Sequence, residues 1–273
     1  MMRALKKALV IITTLLIALL YLCPFYIIIA YSFKSMSDSR SKWAFPTYLF
    51  LDNYADVFKR AALLNALKND TIITVTAVVI LIIVSSAAAY PLARLRTKLN
   101  RRIYVAIIAL MILPPLGILV PLYRTVVDIK GVNTYWGVIL LHVTFNLPVA
   151  IFLFTGFMNT ISVQLDEAAI IDGCGRISVF FRIIFPLLKN VSLTVAILAG
   201  VGIWNDYQFS MFFLESRMMF TPTKAMSQFT NSYGTAMGAI AAGCVISMLP
   251  VAIMYFLMQK QFMSGSVAGA IKG

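Results

Sequence analysis

The chain has 273 residues, of which 61% are hydrophobic and only 12% are charged, and its mean hydropathy is +0.90. Soluble domains average about 45–50% apolar and about 25% charged residues, so this composition excludes an ordinary soluble domain and indicates an integral membrane protein. The formal charge of +13 does not indicate a nucleic-acid partner, because the basic residues cluster at the ends of apolar runs instead of along one polar face.

Six apolar segments are each long enough to cross the hydrocarbon core of a bilayer. Because backbone groups in lipid must form internal hydrogen bonds, all six are expected to be helices. The predicted spans are 9–33, 70–93, 103–123, 135–158, 189–210 and 238–258. The sequence therefore predicts an all-α fold, a polytopic membrane helical bundle of about six transmembrane helices. It forms one membrane domain over residues 1–273, with core spans between about 70 and 258.

The first apolar segment begins like a signal peptide, with Arg3, Lys6 and Lys7 before it. Its apolar core continues to residue 33, a length that spans a bilayer instead of being cleaved. Basic residues before this span and between the second and third spans place those ends in the cytoplasm. With six spans, both termini and the segment between the fourth and fifth spans are then expected in the cytoplasm.

A polar segment, residues 162–188, interrupts the apolar chain between the fourth and fifth spans. Ser162 is predicted to cap a short helix, and Asp166 and Glu167 suit its positive N-terminal end. One face of that helix is expected to be small and apolar, which permits close approach of another protein, at Leu165, Ala168 and Ala169. The helix is expected to end at two glycines, Gly173 and Gly175.

A second short helix is predicted after the glycines. Its apolar stripe has helical spacing and consists of Val179, Phe180, Ile183, Ile184 and Leu187. Pro186 is expected to bend or stop it before the fifth span. The alternative to a protruding helix-turn-helix is an amphipathic connector on the lipid headgroups, but such a connector usually carries Lys and Arg on its polar face, whereas the first helix carries carboxylates.

The motifs of several enzyme classes do not occur in the sequence. A nucleotide-binding G-x-x-x-x-G-K followed by Ser or Thr is missing, as are H-E-x-x-H and G-x-S-x-G. Cys23, Cys174 and Cys244 match no metal-ligand spacing. His142 lies in an apolar run without a carboxylate nearby in sequence, which favours a satisfied buried histidine. We therefore predict a chain with no catalytic residue, metal or cofactor of its own.

The segment from Glu167 to Gly173 has the pattern E-A-A, two residues, D-G, and Ile183-Ile184-Phe185-Pro186 follows it. This pattern resembles the cytoplasmic loop of ABC importer permeases. Further stretches, in the expected order along most of the chain, resemble the sugar-importing, maltose-type inner-membrane subunits: Ala89-Tyr90-Pro91-Leu92-Ala93-Arg94, Ile118-Leu119-Val120-Pro121-Leu122-Tyr123, Asn133-Thr134-Tyr135-Trp136-Gly137, Trp204-Asn205-Asp206-Tyr207 and Ala268-Gly269-Ala270-Ile271-Lys272-Gly273. The chain departs from that pattern at Cys174, where Ala is usual, and at Asn190, where many members have Pro.

The resemblance implies a transport subunit, not an enzyme, in a bacterial or archaeal cell membrane. Expected partners are a second permease subunit, two cytoplasmic ATPase subunits that bind ATP and Mg²⁺, and an extracytoplasmic solute-binding protein. Residues 162–188 would be the loop that couples the permease to ATP hydrolysis. In it Glu167 would contribute an ion pair or helix-end contact, Ala168 and Ala169 a close-packed face, Asp172 a cap or pair, and Gly173 the turn.

Polar side chains at membrane depth are candidates for a carbohydrate path, because an unpaired polar group in lipid is costly. Amides, carboxylates and aromatic rings suit sugar hydroxyls and C–H faces. The candidates are Asn146, Trp204, Asn205, Asp206 and Tyr207. Two alternatives remain open: Asn205 and Asp206 serve only as helix caps, or the cargo is a polyol, a glycerol phosphate or an amino acid.

Residues 222–238 turn polar and are expected on the outer surface. The resemblance places them near the docking face of the solute-binding protein, and an interfacial helix is the alternative. A self-sufficient secondary transporter is a different class of function. It predicts ion-coupling carboxylates within the membrane and often an internal repeat, which the sequence does not show.

Overall fold

The computed structural model describes residues 2–38, 40–41, 43–231 and 234–270. Four helices in this part of the chain are long and apolar enough to cross a membrane, and two bent helix pairs raise the number to six if each pair forms one span. The prediction of an all-α membrane bundle is thus confirmed. Of the predicted tail pattern, Ile271, Lys272 and Gly273 lie outside the described residues.

The helices are numbered in chain order. They are α1 (Met2–Ser32), α2 (Asp52–Arg60), α3 (Leu63–Arg94), α4 (Lys98–Ala109), α5 (Leu119–Asp128), α6 (Tyr135–Met158), α7 (Gln164–Ile171), α8 (Arg176–Val179), α9 (Phe185–Leu187), α10 (Lys189–Trp204), α11 (Gln208–Phe213), α12 (Pro222–Met226) and α13 (Met237–Ala270). Two short antiparallel strands, β1 (Thr230–Asn231) and β2 (Gly234–Thr235), pair Thr230 with Thr235.

The predicted third span, 103–123, is not one continuous helix. Residues Lys98–Ile112 and Pro115–Asp128 form two helical segments bent by 92°. Leu113 and Pro114 between them have extended backbones, with ψ of 116° and 126°. A residue before proline is pushed out of the helical region and proline has no N–H to donate, so the pair Pro114-Pro115 explains the break.

The predicted fifth span, 189–210, is also shorter than expected. The α10 helix ends at Trp204, and the segment Arg176–Leu187 before it is bent by 72° from α10. The bend falls at Leu188, two residues beyond Pro186, which agrees with the expectation that this proline ends the preceding helix. The second span begins earlier than predicted, at Leu63, whereas the fourth matches its predicted bounds.

The core of the bundle lies between α3, α6 and α10. Ile73 and Leu81 of α3, Phe154 of α6 and Val195 of α10 are buried in it. In contrast, α1 exposes its apolar side chains and packs on α13.

The α3 and α6 helices run parallel and define two ends of the bundle. Arg94 at the end of α3 donates to the carbonyl of Met158 at the end of α6, and Tyr135 at the start of α6 donates to Asn69 near the start of α3. We name them the α7 end, where Arg94 closes α3, and the α11 end, where Tyr135 opens α6.

Candidate functional sites

The α7 helix forms the first part of the predicted loop. It begins at Gln164, not directly after Ser162 as predicted, and Val163 at its N-cap position gives no side-chain cap. The Ser162 hydroxyl still accepts a hydrogen bond from the Gln164 N–H at 3.3 Å. The predicted cap is therefore displaced by one residue, within the usual uncertainty of helix boundaries.

A buried polar cluster ties α7 to the ends of two long helices. Asp166 is only 5% exposed, and its Oδ2 lies 3.0 Å from the Arg94 guanidinium. The Tyr90 hydroxyl donates to Asp166 Oδ1 at 2.6 Å. Arg94 also donates to the carbonyls of Met158 and Ile161, at 3.1 and 3.0 Å. Arg94 therefore connects α3, the end of α6 and α7.

Sequence reasoning missed this cluster. Arg94 is noted above only as part of a family-like stretch, and Asp166 only as a favourable charge at a helix start. The two residues are separated by 72 positions, so no local pattern joins them. The one available signal is the ionisable pair itself, because charges beside membrane-length helices usually need partners.

The turn after α7 has the hydrogen bonds of a Schellman motif. The Cys174 N–H donates to the Ala169 carbonyl at 2.9 Å, and the Gly173 N–H donates to the Ile170 carbonyl at 3.0 Å. Gly173 has φ +86°, a conformation that L-residues with a Cβ disfavour. Gly175 has φ −69°, so only Gly173 needs glycine for its backbone.

The outward face of the loop carries both charge and apolar surface. Glu167, Ala168 and Asp172 are exposed, whereas Ala169 is 4% exposed and packs in the core of this chain. A partner can therefore contact Ala168 but not Ala169 in this conformation. Two apolar side chains that the sequence pattern did not mark lie exposed on the loop, Ile171 at 85% and Ile177 at 77% exposure. Exposed apolar patches of this kind mark interaction surfaces.

The second part of the loop keeps its predicted apolar stripe with one shift of register. Val179, Phe180 and Ile184 are buried, but Leu187 is exposed and Leu188 is buried in its place. A π-helical turn at Phe180–Ile184 causes the shift. A π turn places an extra residue in the helical repeat, so side chains beyond it face one position later than α-helical spacing predicts.

A cavity of about 500 Å³ lies between α3 and the loop. Its lining includes the polar cluster, at Tyr90, Arg94 and Asp166, and apolar side chains such as Ile170 and Phe181. Beside this open space, the loop is held to α3 both by the polar cluster and by packing, since the Tyr90 and Phe180 ring centroids lie 5.3 Å apart.

At the α11 end, several candidate cargo residues hold the fold together. Asp206 accepts hydrogen bonds from the N–H groups of Phe209 and Ser210, at 3.1 and 2.9 Å, and so caps α11. The Trp204 indole N–H donates to the Ser247 carbonyl at 3.0 Å. The exposed Asn205 amide donates to the Val201 carbonyl of its own helix. Asp206 therefore serves as a helix cap, which is one of the roles that the sequence left open for it.

His142 connects two of the candidates. Its Nε2 lies 3.9 Å from Asp206 Oδ2. No carboxylate is near His142 in sequence, but the fold brings one from a distant segment. Asn146, one turn along α6, donates to the His142 carbonyl at 2.8 Å and is half-buried. Tyr207 is 44% exposed. Asn205 and Tyr207 are therefore the candidates most open to a ligand.

Other polar groups that fix the α11 end were missed by sequence reasoning. The buried Asn69 amide donates to the carbonyls of Met218 and Phe220 and accepts from the Tyr135 hydroxyl. Asp70 is 1% exposed, and its Oδ2 has no hydrogen-bond partner among the described residues. The dipeptide Asn69-Asp70 precedes an apolar run, which is a readable signal for buried polar groups.

The first part of the segment 222–238, which the sequence predicts on the outer surface, packs against the bundle. Pro222, Lys224 and Met226 of α12 are buried, because α12 packs against α3 and α13. The Lys224 amine donates to the carbonyls of Met211 and Leu214, and burial lowers its pKa. Ser232 and Tyr233 of this segment lie outside the described residues.

Comparisons with known proteins all relate this chain to transport proteins. Residues 80–264 match the model of the family described as binding-protein-dependent transport system inner membrane component. The melibiose/raffinose/stachyose import permease protein MelC of Bacillus subtilis (strain 168) is 42% identical over 100% of both chains. A probable starch degradation products transport system permease protein, AmyC of Thermoanaerobacterium thermosulfurigenes, is 33% identical over 98% of this chain and 97% of its own.

A solved structure supports the same fold. A chain of a bacterial ABC transporter involved in the import of the acidic polysaccharide alginate aligns with a TM-score of 0.79 and 22% identity, over 95% of this chain and 97% of that chain. The helical membrane bundle and the relatives given above together identify a transport permease. More specifically, the chain belongs to the family of binding-protein-dependent transport system inner membrane components.

Proposed function

We propose that this chain is a permease subunit of an ATP-driven ABC importer that takes up a carbohydrate delivered by an extracytoplasmic solute-binding protein. Full-length similarity to permeases named for melibiose, raffinose, stachyose and starch degradation products supports a carbohydrate cargo. In this proposal a second permease subunit and two ATPase subunits complete the transporter, and the ATPases bind ATP and Mg²⁺. The chain lies in a bacterial or archaeal cell membrane with both termini in the cytoplasm.

The coupling role of residues 162–188 rests on the buried ion pair between Arg94 and Asp166. In the proposed mechanism an ATPase subunit contacts the exposed side of the loop, at Glu167, Ala168, Ile171, Asp172 and Ile177. Closure of the ATPases moves α7, and the ion pair transmits this movement to α3 and to the end of α6. The residues that meet the partner are thus different from those that anchor the loop.

The α11 end is the proposed cargo side. Asn205 and Tyr207 are exposed there, whereas Asn146 and Asp206 are half-buried and Trp204 is buried. A planar amide and an aromatic ring suit sugar hydroxyls and sugar C–H faces, respectively. We assign Asn205 and Tyr207 as cargo contacts, and Asp206 and Trp204 as residues that hold this surface in place.

Transport by the complete transporter in proteoliposomes tests this function. With ATP enclosed and a binding protein outside, uptake of radiolabelled melibiose or raffinose is expected, without uptake of glycerol phosphate, a polyol or an amino acid. Glu167→Lys is expected to lower uptake at least about tenfold, equivalent to about 1.4 kcal/mol, while the subunit still inserts. Asp128→Lys, the same charge reversal at an exposed residue remote from α7, is the control.

Three results would contradict the proposal. Uptake by this chain without ATPase subunits would indicate a secondary transporter. Preference for glycerol phosphate, a polyol or an amino acid would keep the ATP-driven machine and overturn the carbohydrate assignment. Normal uptake with Glu167→Lys would overturn the role of the exposed face of α7.

A further inference from the structure

One face of α4 carries three cations followed by three small apolar side chains. The six residues recur at helical spacing and line one open groove of about 570 Å³: Lys98, Arg101, Arg102, Val105, Ala106 and Ala109. At about 1.5 Å rise per residue, the groove follows the helix for about 16 Å. Its charged and apolar halves are thus arranged along one axis.

The charged half of the groove lies at the α7 end of the bundle. The Asn100 side chain donates to the carbonyls of Pro91 and Leu95 at 3.1 and 2.8 Å, which fixes the start of α4 against the end of α3. Arg94 in that same last turn of α3 pairs with Asp166 of α7. The three cations therefore lie on the same side of the membrane domain as α7.

The cations have no protein partner in the part of the chain that the structure describes. Lys98, Arg101 and Arg102 are exposed, and none forms an ion pair or a side-chain hydrogen bond. The groove has no acidic side chain in its lining, and α4 has no buried residue. Like charges at helical spacing repel one another, so a bound anion stabilises this face.

We propose that this groove binds an anionic phospholipid of the leaflet on the α7 side. The phosphodiester headgroup lies against Lys98, Arg101 and Arg102, and one acyl chain follows Val105, Ala106 and Ala109. Basic pockets on the cytoplasmic side of membrane helices bind anionic headgroups. The apolar half distinguishes a lipid from free phosphate, because free phosphate has no apolar part to bury there. The proposal does not depend on the cargo.

The alternative occupant is an acidic surface of another subunit. The arrangement of charges favours lipid, because the cations lie at one end of the groove and the small apolar residues occupy the rest of its length. A headgroup and an acyl chain have this same order. The loss of either half should therefore weaken lipid binding separately.

Native mass spectrometry of the purified transporter in detergent tests the proposal. Phosphatidylglycerol and phosphatidylcholine are titrated in parallel. The triple variant Lys98→Gln, Arg101→Gln, Arg102→Gln is expected to bind phosphatidylglycerol about one hundredfold more weakly, because each surface Lys or Arg contributes roughly fivefold. The matched control removes the same charge from exposed residues outside the groove, with Lys7→Gln, Arg96→Gln and Lys189→Gln, and should stay within about threefold of the parent.

Further variants separate the two halves of the groove. Arg101→Lys with Arg102→Lys keeps the charge and should retain affinity within about threefold. Ala106→Phe fills the apolar half and should weaken phosphatidylglycerol binding without changing the assembly of the transporter. Inorganic phosphate at the same concentration should not displace the lipid.

Several outcomes would overturn the lipid assignment. One is equal loss of affinity in the groove variant and its charge-matched control. A second is equally tight binding of phosphatidylcholine, and a third is displacement by inorganic phosphate. If the triple variant lost its partner subunits while it kept its phosphatidylglycerol affinity, this face of α4 would be a protein interface instead.

Discussion

The two ends of the bundle use polar side chains in different ways. At the α7 end, Arg94 and Asp166 are buried and anchor the loop, while Glu167 and Ile171 point outward and are free to meet a partner. At the α11 end, the polar residues that the sequence marks for cargo include the anchors themselves. Asp206 caps α11 there.

The two ends show that the type of a polar residue does not determine whether it anchors the fold or faces a partner. At the α7 end, neighbours in sequence have opposite roles, because Asp166 faces the bundle and the adjacent Glu167 faces outward. At the α11 end, Asn205 and Asp206 divide in the same way, since Asn205 is exposed and Asp206 is bound to backbone N–H groups. Adjacent positions therefore provide matched pairs for separating stability from transport.

The largest expected effect is at the anchor of the α7 end. Arg94→Met leaves the buried Asp166 carboxylate without its cation, which should lower the free energy of unfolding by about 3–5 kcal/mol. Denaturant unfolding in detergent, followed by tryptophan fluorescence, measures this change. Arg96→Met, at an exposed arginine two residues later, is the control and should change stability by less than about 0.5 kcal/mol.

A double variant tests whether the ion pair has a role beyond stability. Arg94→Met with Asp166→Leu removes both charges and should recover most of the lost stability. Recovery is incomplete because the carbonyls of Met158 and Ile161 also lose their donor. Uptake should stay low, since the polar connection between α7 and α3 is gone. Recovery of uptake together with stability would show that the pair only stabilises the fold.

A smaller effect is expected at the turn that closes α7. Gly173→Ala places a Cβ on a residue with φ +86°, which should cost about 1–2 kcal/mol of stability. No atom lies within 4 Å of that Cβ, so the cost comes from backbone strain alone. Thermal unfolding of the purified transporter measures it, together with ATP-dependent uptake.

Gly175→Ala is the matched control for that turn. Its φ of −69° suits any residue, and a Cβ there also meets no atom within 4 Å. Its unfolding temperature and uptake should equal those of the parent. Equal losses in both variants would mean that the conformation of Gly173 has no special importance.

The sequence predicts the membrane helices well because their signal is local. Length and hydropathy suffice to find α3, α6 and α13. The Pro114-Pro115 pair also contains the reason for the break in the third span, although only the structure shows its angle of 92°. The register shift before Leu188 is less accessible, because a π turn depends on packing around Phe180 and has no fixed sequence signal.

The residues of the candidate sites also differ in whether a local sequence signal reveals them. Gly173 was predictable, since a glycine after a short helix commonly adopts a left-handed conformation. The pairing of Arg94 with Asp166, and of His142 with Asp206, requires knowledge of which helix ends meet. The burial of Ala169 beside the exposed Ala168 likewise depends on how α7 is rotated against the core, which its weak apolar periodicity does not determine.

The smallest expected effect distinguishes cap from cargo contact at the α11 end. Asp206→Ala removes the acceptor for two N–H groups of α11 and should cost about 1 kcal/mol of stability, as for other helix caps. Asn205→Ala should change stability by less than about 0.5 kcal/mol, because among the described residues its exposed side chain bonds to the Val201 carbonyl of its own helix. If Asn205 contacts the carbohydrate, its variant should instead raise the KM for uptake, with little change in the maximal rate. A higher KM for Asp206→Ala without loss of stability would reverse the two roles, and the carboxylate beside His142 would then be the group that meets the cargo.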